Sequence, residues 1–220
     1  MQRLYFSVFF FCAGAQGFSG LSCRLCGGRR EKMRQNYLEQ FEDCPVIAAV
    51  KDEAGLAACL TSEIGIVFVL FGDICNIGEI VTRLKAAGKT VIVHMDLISG
   101  LSGKEIAVHF IRQNTEADGI ISTKPALIRQ AKELGLYTIM RFFVIDSLAF
   151  DNISRQSAAV HPDMIEILPG LMPKVIRRIC QESRVPVIAG GLITDREDIM
   201  GALNAGAVSI STTNRDVWFM

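Results

Sequence analysis

Apolar runs alternate with amphipathic segments along most of the chain. From Cys44 onward, eight runs rich in Val, Ile and Leu predict strands at residues 44–50, 64–72, 89–97, 117–123, 136–145, 162–170, 185–191 and 207–214. Such continuous apolar strands are typical of parallel sheets buried on both faces, and several intervening segments end in glycine, which commonly terminates a helix. Strand centres recur every 20–28 residues. The pattern therefore indicates a repeat of eight βα units.

Eight consecutive βα units predict an α/β fold, a (β/α)8 TIM-type barrel, with a doubly wound open sheet as the alternative. Only two residues follow Trp218, so the eighth helix is expected to be short or missing. Residues 37–41 are expected to cover the exposed side of the first strand. We predict a single barrel domain over residues 33–220, whose length is close to the fold's lower limit of about 200 residues.

Residues 1–32 do not fit this repeat. An apolar run after Arg3 and the Ala13-Gly14-Ala15 triplet resemble a secretory signal, but the run is too short to span a bilayer. Residues 27–32 read GGRREK, which purine-rich codons can encode, and Met33 follows directly. This is the pattern of a ribosome-binding site read as protein. We expect residues 1–32 to be a non-native or disordered leader translated from upstream sequence.

Charge and cysteine content narrow the function classes. From Met33 onward there are 18 basic and 22 acidic residues, so a mildly acidic body gives no compositional indication of nucleic acid. Cys23 and Cys26 form one CxxC without a second pair, so we expect no metal site. The scattered cysteines of the body are typical of a reduced, cytoplasmic protein: Cys44, Cys59, Cys75 and Cys180. We expect no membrane partner.

Glycines and hydroxyl residues follow the last strands. In this fold, ligands bind at the carboxyl ends of the strands, and phosphates bind at the loops after strands 7 and 8. Glycine lets backbone N–H groups approach a phosphate, and hydroxyl groups add donors. The alternative is that the glycines only turn the chain into a helix. The predicted phosphate ligands are Gly170, Gly190, Gly191, Ser211, Thr212 and Thr213.

Other strands end in polar residues where a core would be apolar. We predict that five of them hold the hydroxyl groups of a small polyol phosphate: His94, Asp96, Thr123, Arg141 and Glu166. Arg141 could instead pair with Glu166 to compensate buried charge, and His94 could simply bond to Asp96. A metal at His94 and Asp96 lacks a third ligand. A further alternative is a Schiff-base lysine at position 51 or 124.

Six motifs carry a resemblance to a known family. HMDLISG (94–100), GIIST (119–123), RFFVID (141–146), PDMIEILPG (162–170), AGGLI (189–193) and STTNRDVW (211–218) resemble, in order, those of the glycerol-3-phosphate-responsive antiterminators. The resemblance covers about residues 44–218. It implies a non-enzymatic regulator without a cofactor. Such a regulator binds glycerol 3-phosphate as effector and acts on the leader mRNA of a glycerol operon, so that transcription passes a terminator.

Two other functions remain open from the residues themselves. A barrel enzyme of the aldolase, epimerase or synthase type, acting on a small phosphorylated substrate, could use Asp96, Glu166 or Lys51 as acid or base. A metabolite-binding protein without an RNA partner is also open, because the chain has no RNP1 or KH-type GXXG motif. The sequence also leaves a homo-oligomer open.

If RNA binds, one helix offers a basic face. Residues 171–183 place Lys174, Arg177 and Arg178 at helical spacing on the side opposite the apolar residues, and Arg184 follows. We predict these four as the RNA-binding residues. A solvated helix face is the alternative.

Overall fold

Eight parallel strands form a closed barrel in the computed structural model, which describes residues 35–220. Each strand pairs with its neighbour in the chain, and β8 pairs with β1. The predicted barrel is therefore confirmed, and each strand lies within its predicted segment. The strands are β1 Val46–Val50, β2 Ile66–Val69, β3 Thr90–His94, β4 Gly119–Ser122, β5 Tyr137–Phe143, β6 Met164–Leu168, β7 Val187–Gly190 and β8 Ser209–Thr212.

An α-helix precedes β1, and one α-helix follows each of the first seven strands, with a 3-10 helix, Met95–Leu97, directly after β3. Asp52, Asp146 and Asp195 begin three of them by accepting a hydrogen bond from a backbone N–H of the first turn, as N-cap residues do. The helices are α1 residues 35–43, α2 Glu53–Thr61, α3 Ile77–Ala86, α4 Ile106–Asn114, α5 Pro125–Glu133, α6 Ser147–Val160, α7 Pro173–Glu182 and α8 Arg196–Asn204.

A short 3-10 helix, Arg215–Phe219, follows β8 in place of an eighth α-helix, as expected. The Trp218 indole N–H donates to the Thr212 carbonyl at 2.9 Å, and its ring packs in the same apolar cluster as Val50 and Leu56. Val217 packs against the cluster that contains Ile210 of β8. These two side chains cover the outer side of β1 and β8.

Helix α1 closes the amino-terminal mouth of the barrel, so the expectation that it covers the outer side of β1 is wrong. Phe41 is fully buried, belongs to the apolar cluster inside the barrel and stacks on Tyr137 at 5.7 Å between ring centroids. The Ser209 hydroxyl donates to the Phe41 carbonyl at 2.7 Å. Tyr137 and Ser209 begin their strands, and Trp218 already occupies the side that α1 was expected to cover.

Two features of residues 35–220 bear on function class. None of their helices is long and apolar enough to cross a membrane. No three His, Cys, Asp or Glu side chains of this region are grouped so that they could hold a metal ion. The expected leader at residues 1–32 and the Cys23–Cys26 pair lie outside the described residues.

Candidate functional site

The barrel interior is apolar near α1 and becomes charged towards the carboxyl ends of the strands. Arg141 of β5 stands opposite Glu166 of β6 in the sheet register. Glu166 is fully buried and Arg141 is 8% exposed. The Arg141 Nε group donates to Glu166 Oε2, and the Ser211 hydroxyl donates to Glu166 Oε1 at 2.5 Å. The ion pair considered from the sequence is thus present, and β8 contributes to it.

Gly190 leaves room for this carboxylate. A Cβ atom at position 190 would lie 2.5 Å from Ser211 Oγ and 2.6 Å from Glu166 Oε1, closer than atoms can approach. Gly170 is also tightly packed, because a Cβ there would lie 2.8 Å from Ile193 Cδ1. Its own N–H donates to the Gly191 carbonyl at 3.1 Å. Both glycines therefore permit close packing beneath the rim, and neither lines the cavity above it.

A cavity of about 320 Å³ opens at the carboxyl ends of β5 to β8 and reaches this ion pair. Ala49 and Leu70 also line it, and both could have been found from the alternation of inward positions on β1 and β2. Leu192 and Asn214 were not among the predicted site residues. The predicted residues that line the cavity are Arg141, Glu166, Gly191, Ser211, Thr212 and Thr213.

Hydrogen-bond donors in the lining are left without acceptors. Among the hydrogen bonds of residues 35–220, none has the backbone N–H of Gly191, Leu192 or Thr213 as donor. Within the same residues Arg141 donates only through Nε, so its terminal guanidinium nitrogens remain available. The Thr212 hydroxyl, by contrast, donates to the Ile193 carbonyl at 2.8 Å. The lining is therefore suited to an anion that accepts several hydrogen bonds.

His94 ends β3 inside the barrel and is 2% exposed. Neither of its ring nitrogens has a hydrogen-bond partner among the described residues. Burial lowers the pKa of His94 to about 4, and the nearby Arg141 cation acts in the same direction while Asp96 opposes it. The imidazole is therefore neutral at physiological pH, with one donor and one acceptor. His94 does not itself line the cavity.

The neutral state of His94 makes stability depend on pH. In the unfolded chain His94 is protonated below its ordinary pKa of 6.5, whereas in the folded protein it is protonated only below about pH 4. We expect the free energy of unfolding to fall by about 3 kcal/mol between these values from this residue alone. His94→Gln should lack this part of the decrease. Denaturant titrations of both proteins from pH 7 to 4 measure it, and parallel profiles would contradict a buried neutral imidazole.

Asp96 and Thr123 tie β3 to β4. Asp96 Oδ2 accepts hydrogen bonds from the Ser122 hydroxyl at 3.0 Å, the Thr123 N–H at 2.8 Å and the Thr123 hydroxyl at 3.2 Å. Burial alone would raise the pKa of Asp96, but the hydrogen bonds from Thr123 and Ser122, together with the charge interactions with His94 and Lys124, outweigh it and the pKa is lowered. Lys124 Nζ lies 3.4 Å from Asp96 Oδ1, and no hydrogen bond joins His94 to Asp96. Neither Asp96 nor Thr123 lines the cavity.

The four predicted RNA-binding residues lie on the outside of the barrel. Lys174, Arg177, Arg178 and Arg184 are all exposed, whereas Ile176 and Ile179 of α7 are buried, as the helical pattern predicted. The Arg178 Nε group donates to Glu182 at 2.9 Å, and its guanidinium carbon lies 4.2 Å from the centroid of the Phe150 ring.

Fold and site together define a (β/α)8 barrel protein with a ligand-sized cavity at its carboxyl-terminal rim, where a buried ion pair and hydroxyl groups meet apolar side chains. Residues 46–218 match the family described as glycerol-3-phosphate responsive antiterminator, and the chain belongs to this family. YgcP of Escherichia coli (strain K12) is 50% identical over 174 residues, which cover 79% of this chain and 91% of that protein.

Two solved structures are similar to this one. A glycerol uptake operon antiterminator regulatory protein from Listeria monocytogenes has a TM-score of 0.76 at 32% identity, with 79% of this chain and 94% of that chain covered. A glycerol uptake operon antiterminator-related protein from Thermotoga maritima has a TM-score of 0.71 at 36% identity, with 80% and 98% covered. Both support the resemblance that the sequence motifs indicated.

Proposed function

We propose that this protein is a transcription antiterminator of a glycerol catabolic operon, which senses glycerol 3-phosphate and binds the operon's leader mRNA. The observation that carries the proposal is the rim cavity, with unused backbone donors at one side and the Arg141–Glu166 pair at its floor. Such a cavity offers donors to a phosphate and both donors and acceptors to hydroxyl groups. Glycerol 3-phosphate combines these two kinds of group.

The phosphate is assigned to the loops after β7 and β8. Four groups would donate hydrogen bonds to the phosphate there: the backbone N–H groups of Gly191, Leu192 and Thr213, and the Thr213 hydroxyl. The hydroxyl groups then reach the terminal nitrogens of Arg141 and the carboxylate of Glu166. His94 is buried, its ring nitrogens have no partner among the described residues, and it lies close enough to Arg141 for that cation to lower its pKa. In this assignment Gly170, Gly190, Asp96 and Thr123 shape the site without touching the ligand.

Binding without chemistry fits the cavity better than catalysis does. Among residues 35–220, none of those that line it is a lysine that could form a Schiff base. Glu166 already accepts hydrogen bonds at both oxygens, and the part of the chain that the structure describes supplies no second carboxylate to the cavity lining for acid–base catalysis. Incubation with glycerol 3-phosphate should therefore raise the melting temperature without turnover. Consumption of the compound would favour a barrel enzyme.

The RNA partner is tested with the leader transcript of the glycerol operon from the source organism. An electrophoretic shift of this RNA should appear, and glycerol 3-phosphate should change its midpoint. The proposal needs no cofactor, and it places the protein in the cytoplasm with the nascent transcript. If the midpoint of the shift is the same with and without glycerol 3-phosphate, the proposal that the protein senses this compound is wrong. If no shift appears, the proposal that it binds the leader RNA is wrong.

Replacing Lys174, Arg177 and Arg178 together with glutamine should weaken leader RNA binding and flatten its salt dependence. A variant that neutralises fewer phosphates releases fewer counterions, and the log–log salt slope falls by about 0.7 for each such phosphate of a single strand. Glycerol 3-phosphate binding should persist, because these side chains are exposed outside the barrel. Filter binding over a salt series measures both effects. An unchanged slope would place RNA elsewhere. The control variant removes the same number of positive charges at other exposed positions, with Lys51, Lys104 and Arg112 replaced by glutamine, and it should keep the wild-type salt slope.

A further inference from the structure

A second cavity lies outside the barrel, between α6 and α7. Its volume is about 280 Å³, and both helices and the turns that follow them line it. The walls are mainly apolar, with Ile153 and Ala158 from α6, Ile179 from α7 and Val185 beyond it. The Phe150 ring also lines it, and so does the Glu182 carboxylate. We call this cavity the α6–α7 groove. It is separate from the rim cavity, with which it shares no lining residue.

One polar group in the α6–α7 groove lacks a partner. Ser157 is 7% exposed, and its hydroxyl has no hydrogen bond among the described residues. Serine hydroxyls in helices commonly donate to the carbonyl of the preceding turn, but Ser157 does not. A buried hydroxyl without a partner costs free energy, so a ligand with a polar edge would stabilise it.

The charge around the groove is opposite to that of the rest of the molecule. Residues 35–220 contain 17 basic and 22 acidic residues. Helices α6 and α7 together with Arg184 contain five basic and only two acidic residues. The basic residues are Arg155, Lys174, Arg177, Arg178 and Arg184, and all are exposed. A positive patch on an otherwise acidic protein favours a polyanion such as RNA.

The Phe150 ring, which lines the groove, is covered on one face by a guanidinium plane. The Arg178 guanidinium lies over the Phe150 ring, and Arg184 makes no ion pair within the described residues. Unpaired RNA bases stack on aromatic rings and guanidinium planes and bond through their polar edges. We propose that the α6–α7 groove receives an unpaired base of single-stranded RNA, with Ser157 at the base edge and Arg178 and Arg184 at the flanking phosphates. The proposal rests on the RNA-binding function above and assigns its contact site.

The groove also has a direct structural link to the rim cavity. Arg141 lies on β5, which leads into α6, and Glu166 lies on β6, which leads into α7. The same two strands therefore carry the buried ion pair on the inside and the groove helices on the outside.

The test blocks the groove without altering charge. Ala158 lines the groove and Ala159 does not, although both are exposed on α6. Ala158→Phe should weaken leader RNA binding by about tenfold or more, since one stacked base contributes about this much. Ala159→Phe, the matched control, should bind RNA as the wild type does. Glycerol 3-phosphate binding by calorimetry and the melting temperature verify that both variants fold.

A measurement on the unaltered chain accompanies the variants. Leader RNA that contains 4-thiouridine should crosslink to peptides of α6 and α7 under ultraviolet light. Equal RNA affinity of all three proteins, or crosslinks confined to other helices, would overturn the groove assignment while RNA binding stands. Wild-type protein that does not bind the RNA would overturn both. Sedimentation distinguishes a protein occupant: a dimer lost only in Ala158→Phe, with RNA affinity intact, would make the groove a contact between copies.

Discussion

Glu166→Ala is expected to lower the free energy of unfolding by about 3–5 kcal/mol. The substitution leaves the Arg141 guanidinium buried at 8% exposure without its carboxylate, and the Ser211 hydroxyl loses its acceptor. An uncompensated buried charge is much more costly than the intact pair is stabilising. Denaturant unfolding measures the loss, and the same sample should no longer bind glycerol 3-phosphate in calorimetry.

A double variant separates the effect of an uncompensated buried charge on stability from the role of the ion pair in ligand binding. Arg141→Met with Glu166→Leu replaces the pair by apolar groups of similar volume, which is often neutral or stabilising for a buried pair. We expect it to regain most of the stability lost in Glu166→Ala and still not bind glycerol 3-phosphate. A Glu166→Ala protein as stable as one with a surface substitution, within about 0.5 kcal/mol of wild type, would contradict the buried pair.

Gly191→Asp is expected to weaken glycerol 3-phosphate binding by at least about a hundredfold. The carboxylate would enter the cavity beside the proposed phosphate and displace about two charge-assisted hydrogen bonds, each of about 1.5–3 kcal/mol. Gly191 has φ +78°, a left-handed conformation that Asp and Asn adopt more readily than other side chains. A Cβ there meets only the side chain of Leu168, at 3.2 Å, so the fold should persist.

Gly191→Asn is the matched control, because it has the same size and backbone preference without the charge. It should bind glycerol 3-phosphate more tightly than Gly191→Asp at every ionic strength, and the difference should shrink with added salt. Circular dichroism verifies the fold. A folded Gly191→Asp protein that binds like the wild type would show that the phosphate lies elsewhere.

The hydrophobic pattern was sufficient to predict the barrel. Near-continuous Val, Ile and Leu runs, such as residues 64–72 around β2, can only be buried on both faces, and their regular spacing gives the βα repeat. The same reasoning could not place α1. A short amphipathic segment can cover either the side or the end of a barrel, and Phe41 goes to the end because Trp218 fills the side.

The sequence predicted which residues lie at the carboxyl-terminal rim of the barrel, but not which of them contact one another. Strand ends identify which residues reach it, but partners depend on register between strands that are distant in sequence. Arg141 stands opposite Glu166, so the pair forms there and draws in Ser211 from β8. Gly190 was predicted as a phosphate contact, and the structure shows that a side chain at this position would collide with Ser211 and Glu166, so the contact itself stays a prediction. The phosphate assignments at Gly191 and Thr213 stay predictions.

Single-round transcription through the leader of the glycerol operon tests the central claim most directly. The template carries the leader with its terminator, and purified protein and glycerol 3-phosphate are added separately and together. We expect read-through past the terminator to rise only when both are present, and Gly191→Asp protein to give no rise at the same effector concentration. Read-through that stays at its basal level with wild-type protein and saturating glycerol 3-phosphate would contradict the account.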